Sequence, residues 1–186
     1  MGLNNKKDYV YKLTVSGLLI AVGVVIPRLF HVFSANQLGK VLLPMHISVF
    51  IAGISLGGFY GFWIGLITPL LNSLFGAPPF PINILMAFEL SAYGLFSGLL
   101  MSDRIIPEIK VLGRNIKIYL SLIISMIIGR VIYGLALLVA GNVIGLKVPK
   151  AVSIIGATIS GVPGILIQLI IVPLVAYFLN TQRNNN

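Results

Sequence analysis

The chain predicts an all-α integral membrane protein of about six transmembrane helices, each roughly 20 residues long, with both termini cytoplasmic. Composition is the first sign: 58% of the 186 residues are hydrophobic and 9% are charged, where a soluble domain carries about half and a quarter. Apolar runs recurring along the whole length, with short polar connections, are the second. The third is the placement of the cations. With the termini inside, that side holds Lys6, Lys7, Lys12, Arg104, Lys110, Arg114, Lys117 and Arg183, and the opposite side only Arg28, Lys40, Lys147 and Lys150. This excess satisfies the positive-inside rule. Residues 1–186 then form a single membrane domain. The net charge of +9 is read as topology and attraction to anionic headgroups, because the cations are scattered among loops instead of forming a nucleic-acid face.

The first span covers 13–33, after a polar, basic tail of twelve residues, and is interrupted at Pro27 and Arg28. Lys6 and Lys7 ahead of an apolar run also fit a signal peptide, but similar spans follow all along the chain. Gly17 and Ala21 stand four apart on one face, a spacing that lets another helix approach closely. A polar loop, SANQLGK, leads to a short second span at 41–56, with His46 at its entrance. Gly57-Gly58 leaves almost no connection to the third span, 59–75, so these two form an antiparallel hairpin.

A proline elbow, GAPPFP, precedes the fourth span at 82–101. The longest charged loop, 102–117, separates it from the fifth span at 118–140. The sixth, 151–179, is broken by Gly161, Pro163 and Gly164.

Two charges lie inside apolar runs, Glu89 and Arg130. An isolated charge costs roughly 2.5–3.5 kcal/mol at a helix centre on insertion scales, so such groups face an interior or a wet cavity. On the predicted topology Glu89 lies ~10 Å below the outer end of its helix and Arg130 ~15 Å below the outer end of the next. Opposite in sign and similar in depth, they pair either directly or through a bound molecule. Tyr93 and Tyr133 follow them at i+4 and i+3, on the same helix faces. His46, Asn72, Asn83 and Asn142 lie toward the same outer half, and Gln168 nearer the middle of the sixth span. Two readings follow: a buried salt bridge that locks two helices, or a ligand pocket open to the outside.

Several chemistries are set aside. No G-x-x-x-x-G-K-[ST] loop is present, so ATP is not hydrolysed by that route. The two histidines, His31 and His46, belong to no metal-ligand cluster, and no G-x-S-x-G elbow appears. Cysteine is absent. An integral membrane enzyme lacks a catalytic set. A stand-alone proton-coupled carrier could use Glu89, but the chain holds no second six-span half.

The runs LLPMHISVFIAGISLGGFYGFWIGLITPLLNSLFGAPPFP, MAFELSAYGLFSGLL and GRVIYG resemble the substrate-binding S components of energy-coupling-factor (ECF) vitamin transporters, most closely the pantothenate-type members. The resemblance is most specific at Leu43 to His46, Phe88 to Gly94 and Gly129 to Gly134. It implies a six-helix S-component fold in a prokaryotic cell membrane that captures a vitamin on the outer side. It also implies docking on a transmembrane coupling (T) protein driven by two ABC ATPases, with ATP and Mg on those chains and no cofactor on this one.

The loop Ser34 to Lys40 and the elbow Gly76 to Pro81 would cover the site. Docking in the family uses an A-x-x-x-A pattern on the first helix; Gly17 and Ala21 match its spacing, with glycine in the first position. Depth in the membrane and side-chain chemistry make Glu89 and Arg130 the first candidates for substrate binding, followed by His46, Asn83, Tyr93, Tyr133 and Gln168. Pyridoxine, hydroxymethylpyrimidine, cobalamin, riboflavin and folate are the alternative ligands.

Overall fold

In the computed structural model, residues 3–32, 44–102, 113–143, 145 and 154–184 are described. Among them, all regular structure is helical: α1 Leu3–Val32, α2 Pro44–Leu56, α3 Gly58–Leu74, α4 Ile82–Leu100, α5 Gly113–Leu138 and α6 Ile154–Asn184. A π-turn, Val139–Val143, closes the end of α5. This is the expected outcome for apolar chain in hydrocarbon, where each segment must satisfy its own backbone groups. Four segments are long and apolar enough to cross a bilayer: Lys6–Leu29, Ile82–Leu100, Ile116–Asn142 and Gly161–Leu179. Helix α2 is apolar but shorter, and nearly all of it is buried.

The helix limits differ from the sequence expectation in two places. Helix α1 starts at Leu3, not near residue 13, so most of the polar tail is helical. An i,i+4 ion pair between Lys12 and Asp8, 2.9 Å, supports that first stretch. Helix α6 runs unbroken through Gly161, Pro163 and Gly164, and through Pro173. A proline removes one ladder hydrogen bond, a loss that helices in a membrane setting accommodate by local adjustment. Pro27 likewise sits inside α1 without ending it.

Helices α2, α3 and α4 form the centre of the fold, and glycine explains how closely they pack. Gly57, with φ of 101°, is the one-residue connection that reverses the chain between α2 and α3. A Cβ at Gly61 or Gly94 would collide with the backbone of the other, and one at Gly65 with the carbonyl of Leu90. These antiparallel backbones touch because no side chain stands between them. Val49, Phe50, Ile64, Leu90 and Tyr93 fill the core around them.

Helix α1 lies against α2 and α3. Gly23 faces Ser48 and Thr68, and Asn72 at the end of α3 donates to the carbonyl of Gly23 at 3.0 Å. Arg28 donates to the carbonyl of Asn72 at 2.8 Å and sits 5.1 Å from the ring of Phe75. A cation thus meets a carbonyl of the last turn of α3, one that also accepts from the Phe75 N–H at 3.1 Å. Helix α5 packs antiparallel on α4, and α6 packs mainly on α2.

The elbow runs from Phe75 to Pro81, with cis peptides at Ala77-Pro78 and Phe80-Pro81. The expected covering loop at Ser34 to Lys40, most of the charged loop at 102–117, and the sixth span's start at 151–153 lie outside the described residues.

Candidate functional site

Glu89 and Arg130 form a direct ion pair, Oε1 to Nη1, at 2.9 Å. Two structural facts bring it about. Glu89 lies on the face of α4 that α5 covers, and α5 is antiparallel to α4, so residues of similar depth meet. The carboxylate is deeply buried, 3% exposed, while the Arg130 side chain is 17% exposed. Glu89 therefore sits behind the arginine, which presents the outer surface of the pair.

Tyr93, one helical turn after Glu89, donates its phenolic O–H to the same Oε1 at 2.6 Å. Its ring is stacked on Phe50, centroids 5.0 Å apart, and tilted against His46 at 5.7 Å. On its remaining side lies Gly129, where a Cβ would collide with Cδ1 and Cε1 of the ring. Glu89, Tyr93 and Arg130 are thus one connected unit across α4 and α5, with Tyr93 fixed by contacts on three sides.

A cavity of about 640 Å³ opens against this unit, bounded by α2, α4, α5 and α6. That size suits a small organic ligand. Its polar lining comes from His46, Tyr93, Arg130 and Gln168. Apolar side chains supply the rest, including Met126, Ile127, Ile165 and Leu169. Gln168 and His46 are buried, and His46 Nδ1 and Gln168 Nε2 have no hydrogen-bond partner among the described residues. Buried polar atoms are nearly always satisfied, so two orphans on one cavity mark the places where a bound molecule can complete the set. The rim along α5, formed by Ile123, Ile127, Val131, Leu135 and Leu138, is exposed.

Of the seven residues expected to bind substrate, four line this cavity: His46, Tyr93, Arg130 and Gln168. Glu89 reaches it only through Arg130 and Tyr93. Asn83 is placed elsewhere. Its amide donates to Ser73 Oγ at 3.1 Å and its Oδ1 accepts from the Ile84 N–H at 2.9 Å, so it ties the start of α4 to the end of α3. Tyr133 is buried beside Leu85 and Ala140 in a separate cluster. Asn72 joins α3 to α1, and Asn142 is exposed in the π-turn.

Gly17 and Ala21 lie on the exposed face of α1, opposite the buried Ser16, Leu19 and Gly23, and no atom lies within 4 Å of a Cβ placed at Gly17. They take no part in internal packing.

Sequence reasoning assigned no role to Met126, Ile165 or Leu169, because nothing separates an apolar lining residue from an apolar lipid-facing one. Gly129 carried a usable signal: the smallest residue, next to an intramembrane arginine. A second cavity of about 540 Å³ lies between the elbow, α4 and α5, lined only by apolar side chains such as Phe80, Ile84, Phe88 and Val139.

Long apolar helices around a buried ion pair and a cavity of small-molecule size define a helical membrane protein. The chain belongs to the family of the substrate-specific component of the ECF transporter, whose family model matches residues 11–176. Membership means a membrane transport subunit that takes a small-molecule substrate and partners T and ATPase components. No curated protein and no solved structure is significantly similar to the chain.

Proposed function

We propose that this chain is the high-affinity substrate-binding subunit of an ATP-driven vitamin uptake transporter, with pantothenate as its ligand. It is read as a six-span protein of the prokaryotic cell membrane with both termini cytoplasmic. One observation carries the ligand assignment: the guanidinium of Arg130 faces a cavity of about 640 Å³ whose lining is mostly apolar. Pantothenate is a small anion with an amide and two hydroxyls. A guanidinium suits a carboxylate because its planar fork makes charge-assisted, bidentate bonds. Gln168 Nε2 and His46 Nδ1, both without partners among the described residues, would serve the amide and hydroxyls.

Energy comes from other chains. ATP and Mg belong to two partner ATPases, coupled through the T protein. The exposed face of α1 that carries Gly17 and Ala21 is the proposed contact with that protein, since small residues let helix backbones approach in a membrane.

A second reading rests on Glu89. The ion pair already offsets the charge of Arg130, which favours an uncharged vitamin or precursor such as pyridoxine or hydroxymethylpyrimidine.

The test is direct binding to the purified chain. Arg130→Ala is expected to lower pantothenate affinity at least about tenfold, the scale of a charge-assisted hydrogen bond. Full affinity in a folded variant would overturn the assignment of Arg130. Reconstituted alone, the chain should bind without transporting, and transport should appear only with the T protein and ATPases. ATP-independent transport by the chain alone would instead identify a stand-alone carrier.

A further inference from the structure

We infer that Glu89 sets the charge selectivity of the cavity: it cancels Arg130 as a ligand experiences it, so charged and uncharged forms of one molecule bind with similar affinity. The inference rests on the cavity being the ligand site.

Arg130 lines the cavity and Glu89 does not, yet the two are in contact at 2.9 Å. A ligand that reaches the guanidinium lies within one side-chain length of the carboxylate behind it. Among the described residues the only acids are Asp8 and Glu89, and Asp8 is paired with Lys12 near the far end of α1. Among the described residues, Arg130 is also the only Lys or Arg on the cavity wall. The site therefore carries one positive and one negative formal charge, a net of zero.

Burial makes this cancellation effective. At the effective dielectric of a protein interior, a unit charge about 6–12 Å away changes a binding constant by roughly ten- to a hundredfold. An anion gains from Arg130 and loses to Glu89. A neutral molecule gains hydrogen bonds from Arg130 and loses nothing. Tyr93 fixes the carboxylate in place by donating to the same Oε1 at 2.6 Å, so Glu89 is not displaced when a ligand engages the arginine.

The alternative role for Glu89 is positioning, in which it only orients Arg130. The two roles predict opposite signs. Glu89→Gln keeps the shape and a carbonyl acceptor for both Arg130 and Tyr93, but removes the negative charge. If Glu89 sets selectivity, the affinity ratio of anion to neutral isostere rises at least about tenfold in this variant. If it only positions Arg130, the ratio stays level or falls.

The experiment is isothermal titration of the purified full chain with two probe pairs: pantothenate against its alcohol pantothenol, and pyridoxic acid against pyridoxine. Wild-type protein is expected to bind both members of one pair within about tenfold of each other. Should Glu89→Gln not fold, the paired variant Glu89→Gln/Arg130→Gln decides, because it restores a neutral pair. Its affinities fall, but its anion-to-neutral ratio is expected within about threefold of wild type. A wild-type preference for the anion above a hundredfold, an unchanged or lower ratio in Glu89→Gln, or collapse of the ratio in the double variant overturns the inference. Binding of neither pair to wild type overturns the proposed function itself, a separate and recognisable outcome.

Discussion

Gly129 and Tyr93 are fitted to each other: the ring of Tyr93 occupies the space that any side chain at position 129 would fill. Because Tyr93 also holds Glu89, and Glu89 holds Arg130, a change at Gly129 reaches the whole cavity wall. Gly129→Ala is expected to push the ring away and weaken ligand binding at least about tenfold, within the 1–3 kcal/mol that overpacking a filled site costs. Titration calorimetry on the folded variant checks it, and wild-type affinity would refute the coupling.

Removing the phenolic hydroxyl isolates the hydrogen bond itself. Tyr93→Phe leaves the stacking on Phe50 and deletes the donor to Glu89. Hydrogen bonds to charged groups contribute about 1.5–3 kcal/mol, so a comparable fall in unfolding free energy is expected in detergent without ligand. An unchanged unfolding midpoint would mean that Tyr93 supports the carboxylate only weakly.

Gln168 should respond in the opposite way. Its amide nitrogen has no partner among the described residues, so Gln168→Met removes no donated bond seen there. Ligand affinity is expected to fall about five- to a hundredfold, the worth of one buried hydrogen bond. Thermal stability without ligand should stay at or above wild type. A loss of stability with affinity intact would assign Gln168 to structure instead.

The glycines of α3 and α4 differ sharply from Gly17. A Cβ at Gly94 would meet the backbone of Gly61, which cannot move aside as a side chain can. Gly94→Val is expected to abolish accumulation of folded protein, while Gly17→Leu, pointing into open space, should leave fold and ligand affinity unchanged. The same Gly17→Leu protein should fail to co-purify with the T protein. Normal assembly would place the docking face elsewhere.

How far the sequence could be read is clearest at the two intramembrane charges. Counting residues from the helix ends placed Glu89 and Arg130 at similar depth, and the ion pair joins them. The spacing from Glu89 to Tyr93 put both on one face, where the hydrogen bond is found. The parallel argument for Arg130 and Tyr133 did not bring Tyr133 to the cavity, since it packs with Leu85 and Ala140. A helical wheel gives a direction but not the neighbour that fills it. Asn83 shows the same limit: a polar residue at a helix start can face a cavity or bond locally, and here its amide donates to Ser73 Oγ while its Oδ1 accepts from the Ile84 N–H. Helix lengths were obscured by a different cause. Polar residues mark where an apolar span starts, not where its helix does, and α1 begins at Leu3; prolines are helix stop signals in water, yet α6 crosses Pro163 and Pro173.

The glycine contacts among α2, α3 and α4 have a thermodynamic side. Association inside a bilayer gains nothing from expelling water, since lipid tails are as apolar as leucine. Glycine has no rotamers to lose when two helices meet, so every backbone contact at Gly61, Gly65 and Gly94 is kept without an opposing side-chain entropy. The cohesion of these three helices is set by shape alone. They form the frame on which α5 and α6, the carriers of Arg130 and Gln168, are packed.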